Sequence, residues 1–315
     1  MPRIFDAHCD TIFELRKKNL RLSKNNIHLD LERMSEFDTY VQIFAAFIDK
    51  KTIRRTPMHE CLCLIDKYHA ELEKNKGLIH PIETAADLEK TKIGGLYSIL
   101  SIEGGEALEG NISALKMYYK MGVRLITLTW NHANELADGI CESRGGGLTE
   151  FGREAVSMME RMGIMIDVSH LSENGFWDVV ECTKRPFVAS HSCVKSICLH
   201  PRNLTDEQIS AIIKRRGCIG INFYPEFLSN TKKCTADDIC RHIEYILKLD
   251  GEDSVGLGSD FDGVSCLPGD VAGVSDIKNL ISVMRSRKFS DNIIDKILFG
   301  NFYRVFYECL ERSNQ

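Results

Sequence analysis

Short apolar runs alternate along the chain with polar turns and with stretches whose apolar residues recur at helical spacing. Runs of this length are typical of buried strands, and their alternation with helices predicts a parallel sheet covered by helices. The predicted strands are residues 3–7, 40–48, 96–102, 125–129, 164–168, 187–189, 218–223 and 255–257.

Capping residues indicate where two of the intervening helices begin. Thr149 is a predicted N-cap, and Thr205 with Gln208 at the fourth position resembles a capping box. Gly217 is predicted to end the helix that Thr205 begins. The predicted helices are residues 149–162, 205–216, 276–287, 290–299 and 301–312.

Eight strands within about 260 residues fit a (β/α)8 barrel, the TIM barrel. We therefore expect one domain over residues 1–315, with the last helices closing the barrel. A doubly wound open sheet is the alternative, but no GxGxxG sequence follows the first strand to support it.

Composition narrows the functional classes. The 315 residues are 43% hydrophobic and 27% charged with a formal net charge of -5, and no basic block predicts nucleic-acid binding. No apolar run reaches the length of a membrane span, so we expect no membrane partner. The 12 cysteines follow no recognisable secretion signal, which predicts a cytoplasmic protein with free, mostly buried thiols.

Residues with metal-binding chemistry stand directly after the apolar runs. His8 and Asp10 follow the first run, and residues two apart on a strand point to the same side. Such a pair suits Zn²⁺ and similar ions, although most isolated instances are ordinary loop residues. Glu103 ends the third run, where a carboxylate is costly to bury unless it is paired or bound to metal. It is either a solvated turn residue or a ligand that bridges two ions.

Further candidates follow the fifth, sixth and eighth runs. His170 and His191 come just past successive strands, where two imidazoles can converge on one ion. Asp260 can hydrogen-bond a metal-bound water, whereas Asp262 and the glycine after it are typical of a turn. Arg202 can hold a carboxylate in a bidentate contact, or be a surface or capping residue. Functional residues of parallel barrels lie at the C-terminal ends of strands, so the set predicts a barrel of the metal-dependent hydrolase type.

These residues belong to longer segments that resemble the membrane dipeptidase (renal dipeptidase) family of zinc peptidases. The resemblance extends over nearly the whole chain, and as a set its segments are highly specific. They are FDAHCD at 5–10, EGG at 103–105, GVRLITLT at 122–129, DVSH at 167–170, SHS at 190–192, RNL at 202–204 and GSDFDG at 258–263.

The resemblance implies two Zn²⁺ ions per chain. His8 and Asp10 would bind the first ion, Glu103 would bridge both, and His170 and His191 would bind the second. Mn²⁺ and Co²⁺ suit the same ligands and are possible substitutes. The resemblance also suggests a homodimer.

The resemblance implies roles for two further residues. Arg202 would hold the terminal carboxylate of a dipeptide substrate. Asp260 would orient or deprotonate a hydroxide-forming water between the two metals and assist proton transfer to the leaving amine. The contact of Arg202 with a carboxylate one residue beyond the scissile bond would favour dipeptides over longer peptides.

The chain departs from the family pattern at one position. Mammalian members carry a substrate-contacting histidine directly after the Thr-Leu-Thr strand, and here that position is Trp130. His132 can replace the missing imidazole from the loop, or Trp130 can simply reshape the substrate pocket. The metal ligands are unaffected by this departure.

Two other functions fit parts of the same pattern. The metals could act on an N-acyl amino acid, a lactone or a cyclic amide, with fold and ligands unchanged. The protein could also bind metal without catalysis, but Asp260 argues against this because a metal-storage site needs no proton shuttle.

Overall fold

The computed structural model describes residues 2–49, 53, 55–231 and 233–311. Within these ranges nine strands lie in one sheet, and every pair of neighbours is parallel. The strands are β1 (Arg3–Cys9), β2 (Thr39–Phe47), β3 (Ile79–Pro81), β4 (Gly95–Glu103), β5 (Val123–Thr127), β6 (Met165–Asp167), β7 (Val188–Ser192), β8 (Cys218–Ile221) and β9 (Val255–Leu257).

Eight of these strands close into a barrel. β1 pairs with both β2 and β9, β2 pairs directly with β4, and the pairing then continues strand by strand from β4 to β9. This closure confirms the predicted (β/α)8 barrel and excludes the open sheet. β3 is a three-residue strand beside the first half of β4 that the sequence did not predict. That the whole chain forms one domain stays a prediction.

Helices connect the strands and cover the outside of the barrel. No helix in the described part of the chain is long and apolar enough to cross a membrane. The helices are α1 (Thr11–Lys17), α2 (Leu31–Met34), α3 (Pro57–Lys74), α4 (Ala85–Lys90), α5 (Ile112–Lys120), α6 (Glu150–Met162), α7 (Glu173–Cys182), α8 (Asp206–Lys214), α9 (Pro225–Leu228), α10 (Ala236–Lys248), α11 (Ile277–Ser286), α12 (Asp291–Asp295) and α13 (Asn301–Leu310). A π-helical segment, Lys296–Gly300, joins α12 to α13.

The predicted helix starts are confirmed, but one predicted stop is wrong. The Thr149 side chain accepts from an amide in the first turn of α6, and Thr205 forms the predicted capping box of α8 with Gln208. At the end of α8 the left-handed residue is Arg216, with φ of 58°, rather than Gly217. Gly217 is needed for a different reason, because a Cβ there would lie 2.1 Å from the Phe187 carbonyl oxygen.

The ends of the strands also differ from the prediction. β7 runs to Ser192 and therefore contains His191, whereas the sequence predicted a strand that ends at residue 189. β5 ends at Thr127 and not at residue 129. Residue 312, the predicted end of the last helix, lies outside the described residues, and α13 itself ends at Leu310. Polar side chains weaken a strand pattern, yet those of β7 are all buried, and the side chains of Ser190 and His191 are hydrogen-bonded.

Side chains alternate between the two faces of the sheet along each strand, and they form two separate cores. The outer cluster joins one face of the strands to the helices, through residues such as Leu64, Leu115 and Val156. All twelve cysteines are free thiols, and seven of them are buried, which confirms the expectation from their number. Of the two cysteines of α3, Cys61 is buried in the outer cluster and Cys63 is only partly buried.

The inner cluster fills the N-terminal half of the barrel with aromatic rings from the end of the chain. Phe302 and Phe306 of α13 lie 5.7 and 5.4 Å from the ring of Phe5, which is fully buried in β1. Gly256 in β9 leaves room for them, because a Cβ there would lie 2.6 Å from the Phe302 ring. The barrel interior is therefore closed at its N-terminal end and can open only at the other.

Candidate active site

The C-terminal ends of the strands bring together the predicted ligands and the predicted acid–base residue. None of these side chains belongs to a residue more than 8% exposed. They come from β1, the start of α1, β4, the segment after β6, β7 and the segment after β9: His8, Asp10, Glu103, His170, His191 and Asp260.

An irregularity in β1 directs His8 into this site. The register of β1 against β2 shifts between Asp6 and Cys9, and Cys9 packs in the outer cluster although Phe5, four residues earlier, lies in the inner one. A bulge of this kind reverses the alternation of side chains. Asp10 lies beyond the strand as the residue before α1, so its approach to His8 does not come from regular strand geometry.

His8 is surrounded by three carboxylates. Its Nε2 atom lies 3.4 Å from Glu103 Oε2, 3.8 Å from Asp10 Oδ2 and 3.8 Å from Asp260 Oδ1. The other Glu103 oxygen, Oε1, lies 3.1 Å from His170 Nε2 and 3.6 Å from His191 Nε2. One carboxylate thus presents its two oxygens to two groups of ligands.

Several buried polar atoms of this cluster have no hydrogen-bond partner. They include both ring nitrogens of His8, Asp10 Oδ1 and Glu103 Oε2. Leaving such atoms unsatisfied inside a protein is costly, whereas a cation would satisfy imidazole nitrogens and carboxylate oxygens together. The donor set therefore fits divalent ions such as Zn²⁺, Mn²⁺ or Co²⁺.

Within the described residues, two sets of three ligand atoms are close enough to hold an ion. One set is His8, Glu103 and His191, and the other is His8, Asp10 and Asp260. His170 belongs to neither set, although its Nε2 lies 2.8 Å from His191 Nε2. The six residues converge as the sequence predicted, while their division between two ions stays a prediction.

Burial and the neighbouring carboxylates determine the charge of this cluster. Burial and, next, the Glu103 carboxylate raise the pKa of Asp10 to about 8. Burial also lowers the pKa of His170 to about 4 and that of His191 well below its ordinary value. Neutral imidazoles with a free nitrogen are the form that binds metals.

Hydrogen bonds on the far side of the two imidazoles orient them. His170 Nδ1 lies 2.8 Å from Asn131 Oδ1, and His191 Nδ1 lies 2.7 Å from Ser190 Oγ. The Ser190 hydroxyl in turn donates to Asp167 Oδ2 at 2.6 Å. Each Nδ1 is then the donor, which leaves each Nε2 as an acceptor directed at the site.

Sequence reasoning missed these orienting residues because their role depends on contacts between different strands. Asn131 comes directly after Trp130, the position that departs from the family pattern. Asp167 and Ser190 lie within the segments that match the family, DVSH and SHS. Ser190 is adjacent to His191 along the chain, which was an available signal, whereas Asn131 lies 39 positions from His170 and gave none.

Asp260 is held in a strained position beside His8. Its backbone has φ of 60°, which is uncommon for a residue other than glycine and typical of functional sites. Asn222 donates to its Oδ2 atom at 2.8 Å, while Oδ1 faces His8. Burial raises the pKa of Asp260 above its usual value.

The predicted turn at Asp262 and Gly263 is confirmed. Asp262 has φ of 68° and lies in a turn. Its carboxylate accepts from the Thr11 hydroxyl at 2.6 Å and from the His28 amide at 2.7 Å. Asp262 therefore ties the segment after β9 to the start of α1.

The ligand cluster lies at the base of an open cleft of about 650 Å³. Phe13, Phe47 and Trp130 form a continuous aromatic wall, with ring centroids 5.5 and 5.3 Å apart and edge-to-face geometry. Tyr224 and Phe227 line the cleft from the segment after β8. Of these rings the sequence singled out only that of Trp130.

The two other predicted substrate contacts differ in position. Arg202 is 7% exposed, donates to the His191 carbonyl oxygen at 3.0 Å and has a buried Nε atom without a partner. The side chain of His132 is 56% exposed and lies 3.4 Å from Glu142. Neither Arg202 nor His132 is among the residues that line the cleft, whereas Trp130 is. Substrate binding by Arg202, Trp130 and His132 stays a prediction.

Comparisons with known proteins agree with this geometry. A family model described as membrane dipeptidase (peptidase family M19) matches residues 2–315. An uncharacterized dipeptidase of Schizosaccharomyces pombe is 31% identical over 331 residues, covering 96% of this chain and 80% of that protein.

Solved structures give the same result. The crystal structure of a family M19 metallopeptidase, dipeptidase AC, superposes with a TM-score of 0.90 at 28% identity, covering 98% of this chain and 99% of that chain. A metallopeptidase of Rhodobacter sphaeroides, with a bound phosphinate mimic of the dipeptide L-Ala-D-Ala, has a TM-score of 0.89 at 27% identity and the same coverage. The chain therefore belongs to the membrane dipeptidase family, peptidase family M19, and is a metallo-dipeptidase.

Proposed function

We propose that the protein hydrolyses free dipeptides with two Zn²⁺ ions held at the C-terminal end of the barrel, and that Mn²⁺ or Co²⁺ can substitute. The observation that carries the proposal is the set of buried donor atoms without partners in His8, Asp10 and Glu103. Their burial would destabilise the protein without cations, and a peptidase site explains why they are retained.

Five residues would hold the ions. We assign His8 and Asp10 to one ion, His170 and His191 to the other, and the two oxygens of Glu103 to both. When bound, the ions polarise the peptide carbonyl and lower the pKa of the attacking water from 15.7 to roughly 7.

Asp260 moves the proton in this proposal. Its Oδ2 atom is occupied by Asn222, so Oδ1 is the atom that takes a proton from water and delivers it to the leaving amine. The raised pKa of this carboxyl brings it closer to the pH at which both transfers occur.

Arg202 holds the carboxylate of the substrate. Its guanidinium group donates to the His191 carbonyl oxygen and lies 5.5 Å from the ring of Phe227, which lines the cleft. The unpartnered Nε atom is available for a charge-assisted contact with an anion. If Arg202 holds the terminal carboxylate beside the metal ligands, only substrates with a single residue after the scissile bond fit.

The relatives support a dipeptide as the substrate. The Rhodobacter sphaeroides peptidase binds a mimic of L-Ala-D-Ala, and we extend this to acceptance of a D-residue at the second position here. A cytoplasmic location and a homodimer remain predictions from the sequence.

A substrate panel with metal analysis tests the proposal. The panel contains L-Ala-D-Ala, L-Ala-L-Ala, their C-terminal amides, an N-acyl amino acid and a lactone, and it is run on the metal-loaded protein. We expect turnover of the dipeptides with about two ions per chain. Preferred hydrolysis of the N-acyl amino acid or the lactone would contradict dipeptide specificity.

The Asp260→Asn variant tests the proton transfer. We expect turnover to fall on the order of 10²- to 10⁴-fold while both ions remain bound. Loss of an ion in this variant would instead make Asp260 a ligand, as its position beside His8 and Asp10 permits. Asp66→Asn, an exposed change on the outer face of α3, is the control and should leave turnover unchanged.

A further inference from the structure

A second cavity lies at the end of the barrel opposite the metal ligands. Its volume is about 270 Å³, and it lies where three chain segments lead into β6, β7 and β8 and α13 packs beside them. The residues that line it are Glu160, Ile164, Ile166, Lys184, Arg185, Pro186, Lys214, Arg215, Arg216, Val305, Glu308 and Cys309.

The two acidic residues of this cavity are already engaged. Glu160 Oε1 accepts from the backbone amides of Lys184 and Arg185, each at 2.9 Å. Glu308 Oε1 lies 2.8 Å from the guanidinium group of Arg216 and 3.5 Å from that of Arg304. Glu308 is therefore paired with arginines, whereas Glu160 forms no ion pair in the described part of the chain and its charge offsets only one of the remaining cations.

Four cations around the cavity have no acidic partner. Across residues 2–49, 53, 55–231 and 233–311, no carboxylate forms an ion pair with Lys184, Arg185, Lys214 or Arg215. The side chains of the two arginines donate to carbonyl oxygens, that of Arg185 to Glu160 at 2.7 Å and that of Arg215 to Val180 at 2.6 Å. The cavity therefore carries an excess of positive charge.

Cations are common at this end of a barrel because helices end there, and a helix C-terminus attracts positive charge. Elsewhere at the same end, however, the cations are paired with acids. Arg3 lies 2.8 Å from Asp295, and Lys296 lies 2.6 Å from Glu252. Helix ends account for the lysine in the last turn of α8 and for the two arginines that donate to last-turn carbonyl oxygens of α6 and α7. Carbonyl oxygens are neutral, however, and leave the positive charges unpaired.

We propose that this cavity binds a small molecule through a phosphate group. Guanidinium and ammonium groups from two segments can donate to several oxygens of one tetrahedral anion, and a phosphate brings more negative charge to these four cations than a carboxylate does. A single carboxylate brings only one negative charge. The site is separate from the metal site and does not depend on the proposed reaction.

Calorimetric titration of the metal-loaded protein with inorganic phosphate tests the proposal. The test variant is Lys184→Gln with Lys214→Gln, and the control is Lys116→Gln with Lys120→Gln on α5. All four lysines are exposed, so both double variants should fold, which circular dichroism checks. We expect at least about a tenfold loss of phosphate affinity in the test variant, because each charge-assisted contact contributes about that much.

Dipeptide turnover is measured in parallel, since phosphate can also reach the metals. Turnover of the test variant without phosphate should equal that of the wild type. An identical phosphate isotherm in all three proteins would overturn the proposal and assign any binding to the metals. Acetate at the same concentration should not bind, and binding as strong as that of phosphate would overturn the assignment to a phosphate group.

Discussion

The two ends of the barrel interior differ in how their polar groups are satisfied. At the C-terminal end, buried imidazole and carboxylate atoms of His8, Asp10 and Glu103 lack hydrogen-bond partners. At the N-terminal end, Phe5 and the rings of α13 fill the interior and ion pairs such as Arg3 with Asp295 surround it. The barrel interior is thus filled and stabilising at one end, and at the other it keeps unsatisfied groups that a metal ion can bind.

Backbone strain occurs at both ends, since Arg216 and Asp250, which precede β8 and β9, have φ of 58° and 62°. His170, Asp260 and Asp262 have φ of 68°, 60° and 68°, and all three lie at the C-terminal end. Such conformations cost on the order of 1–3 kcal/mol each and persist only where the surroundings enforce them. The well-packed end of the barrel supplies the stability that offsets this strain.

The largest effect is expected from His8→Ala at the metal end. The variant should bind fewer ions and lose more than about 100-fold in turnover, because removing even an outer partner of a metal ligand has effects of 10–100-fold. Metal analysis and dipeptide turnover measure the two effects. His80→Ala, an exposed histidine in β3, should change neither. Full turnover of a metal-free preparation would contradict the whole assignment.

At the opposite end, Phe302→Ala should lower stability without changing the chemistry. Removing a ring that is 1% exposed and stacked on Phe5 should reduce the free energy of unfolding by about 3–5 kcal/mol. Urea denaturation measures the loss, and kcat/KM of the folded protein should stay unchanged. Ile93→Ala, at an 87% exposed position, should change stability by less than about 0.5 kcal/mol. A large fall in kcat/KM would show that the two ends are coupled.

Arg202→Ala should weaken the recognition of free dipeptides. We expect a loss in kcat/KM that corresponds to about 2–5 kcal/mol, the value of a buried charge-assisted contact. The loss should be much smaller for C-terminal amides, which lack the partner charge. Arg161→Ala, an exposed arginine of α6, is the control. An equal loss on both substrates would mean that Arg202 has a structural role beside His191.

Trp130→Ala should change selectivity more than rate. Its ring continues the wall formed by Phe13 and Phe47, so its loss should alter relative kcat/KM across dipeptides of different side-chain size by about 1–3 kcal/mol. A measurable rate should remain on the best substrate. His132→Ala is the matched control with a modest effect, because its side chain is 56% exposed. Abolished turnover in His132→Ala with both ions bound would assign it the missing imidazole's role.

Much of the active site could be predicted because its residues follow the strand pattern directly. Glu103 and His170 come at the ends of apolar runs, and parallel strands place such positions at one end of a sheet. The approach of His8 to Asp10 was predicted for an incomplete reason, since it depends on the bulge in β1 and not on regular alternation. A bulge leaves no clear mark in the hydrophobic pattern.

The orienting residues and the aromatic wall could not be predicted in the same way. Asn131 reaches His170 across 39 positions of the chain, and Asn222 reaches Asp260 across 38. Phe13 and Phe47 read as ordinary apolar residues of a helix and a strand. Only the closure of the barrel brings these side chains together, because each comes from a different connection.

The sequence by itself determined the barrel, the helix caps at Thr149 and Thr205, and the ligand types, because these depend on local periodicity and on residue chemistry. The tertiary structure decided which end of the interior is filled and which is open. Phe302 and Phe306 lie far along the chain from β1 yet close the barrel beneath it. Contacts between residues so distant in sequence depend on chain topology, which no short-range pattern encodes.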